Sequence, residues 1–163
     1  LEELAAQTKE RTEKTDILLA SIKADENRLQ EIAVLKIHLI NYAKSRDVFA
    51  EYKKSGYSRD FFEAHRDVLT LRRAASSAFK EYEKQHPAKN GEKVKLPTVK
   101  ELSAEYAEVL ARKKKNYAEY RKGKAEMKDY LITQKILEAM FDKEQEATEQ
   151  ERQQEEQNRE EHR

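Results

Sequence analysis

Residues 87–101, PAKNGEKVKLPTVKE, decide how the chain divides. They hold both of its prolines, Pro87 and Pro97, and one of its three glycines, Gly91. Proline lacks the N–H a helix interior needs and disfavours helix in the residue before it. Asn90-Gly91 is a turn signal. One helix therefore ends before Pro87, and residues 87–97 form the one real loop. Directly after it, Thr98 and Glu101 have the spacing of a capping box, in which each side chain satisfies the other residue's backbone N–H. The helix that starts there is expected to run from Val99 to at least Phe141, roughly 65 Å at 1.5 Å per residue.

Working back from the loop, the first helix is expected from Leu1 to about Lys54. Leu1, Leu4, Thr8, Thr15, Leu18, Ile22, Leu29, Ile32, Leu39 and Ala43 follow 3-4 spacing. That is a heptad seam, with charges at the intervening positions Arg11, Asp25 and Lys36. From Ile32 onward the stripe widens through Ala33, Leu35, Ile40, Tyr42, Val48, Phe49 and Tyr52, which calls for more than one neighbouring helix. Ser55-Gly56 ends this helix, because glycine readily adopts the left-handed conformation after a last turn. Ser58 or Asp60 caps the next one, whose apolar face is Phe61, His65, Val68, Leu69, Leu71, Ala75, Ala78, Phe79 and Tyr82. Phe49, Phe61, Leu69 and Leu102 are the expected buried anchors.

The predicted fold is all-α: an elongated antiparallel coiled-coil-like bundle of two long helices plus a shorter middle helix. Residues 1–141 form the helical module, with helices at about 1–54, 59–86 and 98–141. Residues 142–163 form an acidic tail, helical or disordered, because after Phe141 only Ala147 is apolar.

Composition supports extended helices over a compact domain. Charged residues make up 40% of the chain, and three glycines and two prolines leave little turn punctuation. Regularly spaced Tyr, Phe, Ile and Leu argue against full disorder. The net charge is +1, but it is unevenly spread. Residues 111–128 hold eight basic residues against Glu119 and Glu126, a net of +6. Residues 142–163 hold nine acidic residues against Lys143, Arg152, Arg159 and Arg163, a net of −5. Such asymmetry is a cue for a polyanion partner at one block and a solvated tail at the other.

Several chemistries find no support in the residues. There is no cysteine, hence no disulfide framework and no thiolate metal site. His38, His65, His86 and His162 are scattered, and "EIAVLKIH" and "FEAH" lack the Glu-x-x-His spacing of helical di-iron sites. No phosphate loop or nucleophile motif occurs. The reading is a chain without a catalytic site, a metal or a cofactor. With no apolar run near the ~20 residues that span a bilayer and no signal-peptide pattern, no membrane partner is expected and a cytoplasmic origin is the default. The start at Leu1, already in helical register, reads as a piece cut from a longer protein.

The one surface with chemistry is residues 111–130, ARKKKNYAEYRKGKAEMKDY, where cations alternate with rings that could stack on bases. Projected at ~100° per residue, Leu102, Tyr106, Leu110, Tyr117, Tyr120 and Leu131 share one line. The tyrosines are therefore expected on the seam. Lys115 and Lys122 point the other way, flanked by Arg112. Arg112, Lys115, Arg121 and Lys122 are the candidate nucleic-acid-binding residues, holding phosphates without reading sequence.

The pieces "INYAKSRDVFAEYKKSGYSRDFFEAHR", "LTLRRAASSAF" and "LPTVKELSAEYAEVLARKK" resemble the C-terminal helical region of MobA/MobL-type mobilization relaxases of Firmicutes, over roughly residues 27–141. The resemblance implies an accessory part of a conjugation protein whose tyrosine nucleophile and histidine-bound metal lie in a nuclease domain. None of the eight tyrosines here has a histidine cluster beside it, so none takes that role. The implied tasks are non-specific DNA contact, oligomerisation, or docking to the transfer machinery. The partners are then a DNA backbone, a relaxosome or coiled-coil protein, or a second copy. The alternative is a purely structural or protein-binding coiled coil with no DNA role.

Overall fold

The structure, a computed structural model, describes residues 2–88 and 91–163. It is all-α, with helices α1 (Glu2–Lys44), α2 (Arg46–Lys54), α3 (Arg59–Ala64), α4 (Arg66–Gln85) and α5 (Val99–Glu161). Leu1 and Asn90, which the sequence reading places at the head of the seam and in the loop turn, lie outside the described residues. The chain divides into two compact units, one of Leu1–Ile22 with Lys115–Arg163 and the other Lys23–Lys114.

In the first unit, α1 and α5 run antiparallel. Asn116 donates to the Ser21 hydroxyl, Thr12 donates to the Met127 sulfur at 3.0 Å, and Arg11 pairs with Glu126. Thr15 is buried and donates to the Arg11 carbonyl. Opposite it stands Gly123, where an added Cβ would lie 3.4 Å from the Thr15 hydroxyl. A small residue there lets the two backbones approach closely.

In the second unit the core is Ile32, Leu35, Ala75, Phe79 and Leu102, with Leu39, Tyr82 and Leu96 packed against it. Leu29, Leu69 and Val109 are also buried. Here α4 covers the widened stripe of α1, as the sequence requires. The capping box forms: Glu101 N–H donates to the Thr98 hydroxyl at 3.1 Å, and Thr98 N–H donates to the Glu101 carboxylate at 3.3 Å. Ser58, not Asp60, caps α3 by accepting from Phe61 N–H. After α2 the chain turns through Gly56 at φ +71 and Tyr57 at φ +59.

Two boundaries differ from the sequence reading, and a third falls within it. The first helix breaks at Ser45 and does not run unbroken to Lys54. The Ser45 side chain is buried; its hydroxyl donates to the Tyr42 carbonyl, and Arg72 donates to both groups. These donors compete for the carbonyl that a regular helix offers to residue 46, a recognised cause of helix bending. The middle helix is split at His65 (φ −122), whose N–H is shared between the Phe61 and Phe62 carbonyls and whose ring lies 4.4 Å from Phe61. The third helix continues through the acidic segment to Glu161, and residues 142–163 are exposed throughout. Glu, Gln and Arg are good helix formers even without burial.

The seam of α5 is also displaced from its expected line. Leu102, Val109, Asn116, Gly123 and Tyr130, spaced by seven, are buried or half-buried, whereas Tyr106 and Tyr117 are 37% and 48% exposed. Leu131 is exposed as well. A straight 100° projection drifts by ~20° per heptad from a supercoiled seam, which over four heptads moves the line off the true face. Phe49 and Phe61 are half-buried around Tyr52 and are not enclosed anchors.

Leu102→Ala is therefore expected to cost ~2–5 kcal/mol, and Tyr117→Ala to stay within about 0.5 kcal/mol, the range of surface substitutions. Urea unfolding of the two variants checks the displaced seam.

Candidate interaction surface

The basic run of α5 is divided by what its cations touch. In the second unit Arg112 grips Asp25 through two bonds, Nη2 to Oδ1 at 2.6 Å and Nε to Oδ2 at 3.1 Å. Asp25 is 5% exposed. The hydrogen bond from Arg112 lowers the Asp25 pKa below the usual carboxylate range, against the opposing effect of burial. Arg28 forms a second fork onto Glu105, with both bonds at 2.7 Å, and reaches Glu31 at 3.2 Å. That bond lowers the Glu105 pKa and raises the Arg28 pKa. Lys113 pairs with Glu26 at 3.4 Å.

Arg112, one of the four candidate phosphate-binding residues, thus holds a buried carboxylate. Asp25 occupies a seam position where the heptad pattern shows only an intruding charge. Its partner could have been sought among cations on the third helix. The sequence reading instead turned Arg112 outward.

The other three candidates lie in the first unit. Lys115, Arg121 and Lys122 are exposed, and among the described residues no carboxylate pairs with them. The Arg121 guanidinium sits 5.8 Å over the Tyr117 ring, and the Lys124 ammonium sits 5.6 Å over the Tyr120 ring. The two rings stack at 6.3 Å. Tyr117 is on the surface beside the cations, not packed inward.

Further along α5 the surface is apolar. Leu131, Ile132, Ile136, Leu137, Met140 and Phe141 are all between 41% and 58% exposed. The sequence reading ended its apolar accounting at Phe141 and took these positions as a continuation of the packed helix. Their number against the few facing positions of the first helix was the available signal.

In the second unit, a groove of about 400 Å³ runs between α1 and α4, lined by Val34, Leu35, Ala78 and Tyr82 among others. Glu31 Oε1 and His38 Nδ1 line it without hydrogen-bond partners. The lining holds no serine, threonine or cysteine. Among the described residues no group of three or more acids, histidines or cysteines is placed to hold a metal, and no helix is long and apolar enough to cross a membrane. Comparison of the chain with protein-family models, curated proteins and solved structures gives no match.

Both fork carboxylates have folded pKa values below their unfolded ones. The stability they contribute is present above about pH 4 and is lost as the pH falls through the folded values. Arg112→Ala leaves the Asp25 carboxylate buried and alone, so its pKa should rise. The melting temperature should drop most at neutral pH. The gap to the parent chain should narrow as the pH falls below about 4 and through the lowered folded value of Asp25, beneath which it is protonated in both. Arg28→Ala should cost about 1–3 kcal/mol, between exposed and buried pairs. Thermal melts across pH check both.

Proposed function

We propose that this chain is a non-catalytic helical assembly module: α1 holds one side of α5, and α5 offers its other side to a further helix. The observation that carries the reading is the run Ile132, Ile136 and Met140, large apolar side chains exposed on the side of α5 away from the Leu102–Tyr130 seam. Large exposed apolar patches mark interaction sites. The resemblance to MobA/MobL-type relaxases supplies the setting we propose, an accessory part of a mobilization protein that serves oligomerisation or docking while the nicking chemistry belongs to a nuclease domain.

A second reading rests on Lys115, Arg121 and Lys122. Their exposure beside the Tyr117–Tyr120 stack suits weak, sequence-independent contact with a phosphate backbone.

Titration with a DNA duplex at two ionic strengths decides between them. The assembly reading expects binding weaker than ~10⁻⁴ M at physiological salt, unchanged by Lys115→Glu with Lys122→Glu. A dissociation constant of ~10⁻⁴ to 10⁻⁶ M that falls off steeply with salt, and is abolished by that double reversal, carries the second reading instead.

A further inference from the structure

The exposed side of α5 has its own heptad-like seam. Lys115, Ala118, Lys122, Ala125, Asp129, Ile132, Ile136, Met140, Lys143 and Ala147 follow one another by three or four residues, and every one is exposed. Within the first unit α1 packs on the other seam, through Asn116, Gly123 and Met127. The outer seam is small or apolar at its middle, with Asp129 just before and Lys143 just after. Around it the helix is net basic on the N-terminal side, where Glu119 and Glu126 are outnumbered, and net acidic on the C-terminal side. Residues 115–128 carry Lys115, Arg121, Lys122, Lys124 and Lys128, while residues 144–157 carry six glutamates against Arg152.

We propose that this face binds a second copy of the chain, antiparallel along α5, about a two-fold axis at Ile136. The inference deepens the assembly reading and rests on it. Charge complementarity selects the occupant. An antiparallel pair centred on Ile136 sets Ile132 against Met140 of the second copy, Asp129 against its Lys143 and Ala125 against its Ala147. Lys115 and Lys122 then face the glutamate-rich stretch 149–157, and the symmetry repeats each contact. A parallel pair would stack the basic block on the basic block and glutamates on glutamates, which is unfavourable. Closed two-fold contacts of this self-complementary kind are the commonest form of homo-oligomer. The pairing also explains why residues with little to bury keep helical periodicity: Ala147, Gln150 and Gln154 are seam positions of the second half.

Sedimentation equilibrium of the full chain should show a dimer, weakened as salt rises because part of the attraction is charge. Ile136→Glu should shift it to monomer without loss of helical circular dichroism, because Ile136 is 55% exposed and lies outside the seam that meets α1. The chain has no cysteine, so single cysteines report the register directly. Ile136→Cys should oxidise to a covalent dimer with itself. Ala125→Cys should not, yet should cross-link when mixed with Ala147→Cys. A monomer at every concentration overturns the pairing while leaving the assembly reading to the duplex titration. Self-linking of Ala125→Cys as efficient as that of Ile136→Cys overturns the antiparallel register. Duplex binding lost on charge reversal, with sedimentation unaffected by Ile136→Glu, assigns the basic face to a polyanion and overturns the proposal.

Discussion

A carboxylate buried on a helix seam is tolerable only with a cation at hand, and Asp25 has Arg112 reaching it from α5. Burial alone would push the proton on; the two-pronged hydrogen bond holds it off. The same constraint fixes how α1 and α5 align in the second unit. Moving α5 by one heptad would leave Asp25 alone and part Arg28 from Glu105 as well. Leu29 and Ile32 could pack against several apolar neighbours, but a fork has one geometry. The apolar side chains supply attraction between the helices, and the forks choose among alignments. Breaking such a pair is costly even where its formation stabilises little.

The legible part of the fold was what local chemistry decides. Thr98 and Glu101 specify a helix start without reference to the rest of the chain, and the box forms as read. The seam from Leu4 to Leu39 was equally plain, because period and residue type agree along it, and its charged interruptions Arg11 and Asp25 sit half-buried and buried where the pattern puts them. The break at Ser45 was not legible. A serine in a helix is ordinary, and this one bends the chain only because Arg72, twenty-seven residues away, binds the same carbonyl.

The candidate site was half legible for a related reason. Spacing alone put Lys115 and Lys122 outside, and they are exposed. Placing Tyr117 inward needed the helix phase to hold over about two heptads beyond Leu102, and a straight projection loses ~20° in each. Tyr117 consequently appears beside Arg121 on the surface. Arg112 shows a further limit: a cation at the edge of a seam is a solvated charge or the partner of a buried acid, and only the acid's position on the other helix tells which.

Opposite charges do different work on the two sides of α5. Toward α1 they meet within the chain: Glu105 takes Arg28, Arg112 takes Asp25, and Glu126 takes Arg11. Each pair is local, so this side is close to balanced wherever it is paired. On the outer side the net charge changes along the helix, positive over residues 115–128 and negative over residues 144–157. A solvated helix gains nothing from that separation, since mixing the signs at i and i+4 would stabilise it more. Segregated charge raises the cost of every parallel alignment with a like helix and lowers that of the antiparallel one. It thus specifies direction, which the short apolar stretch between the blocks cannot do, because Ile132, Ile136 and Met140 read nearly the same from either end.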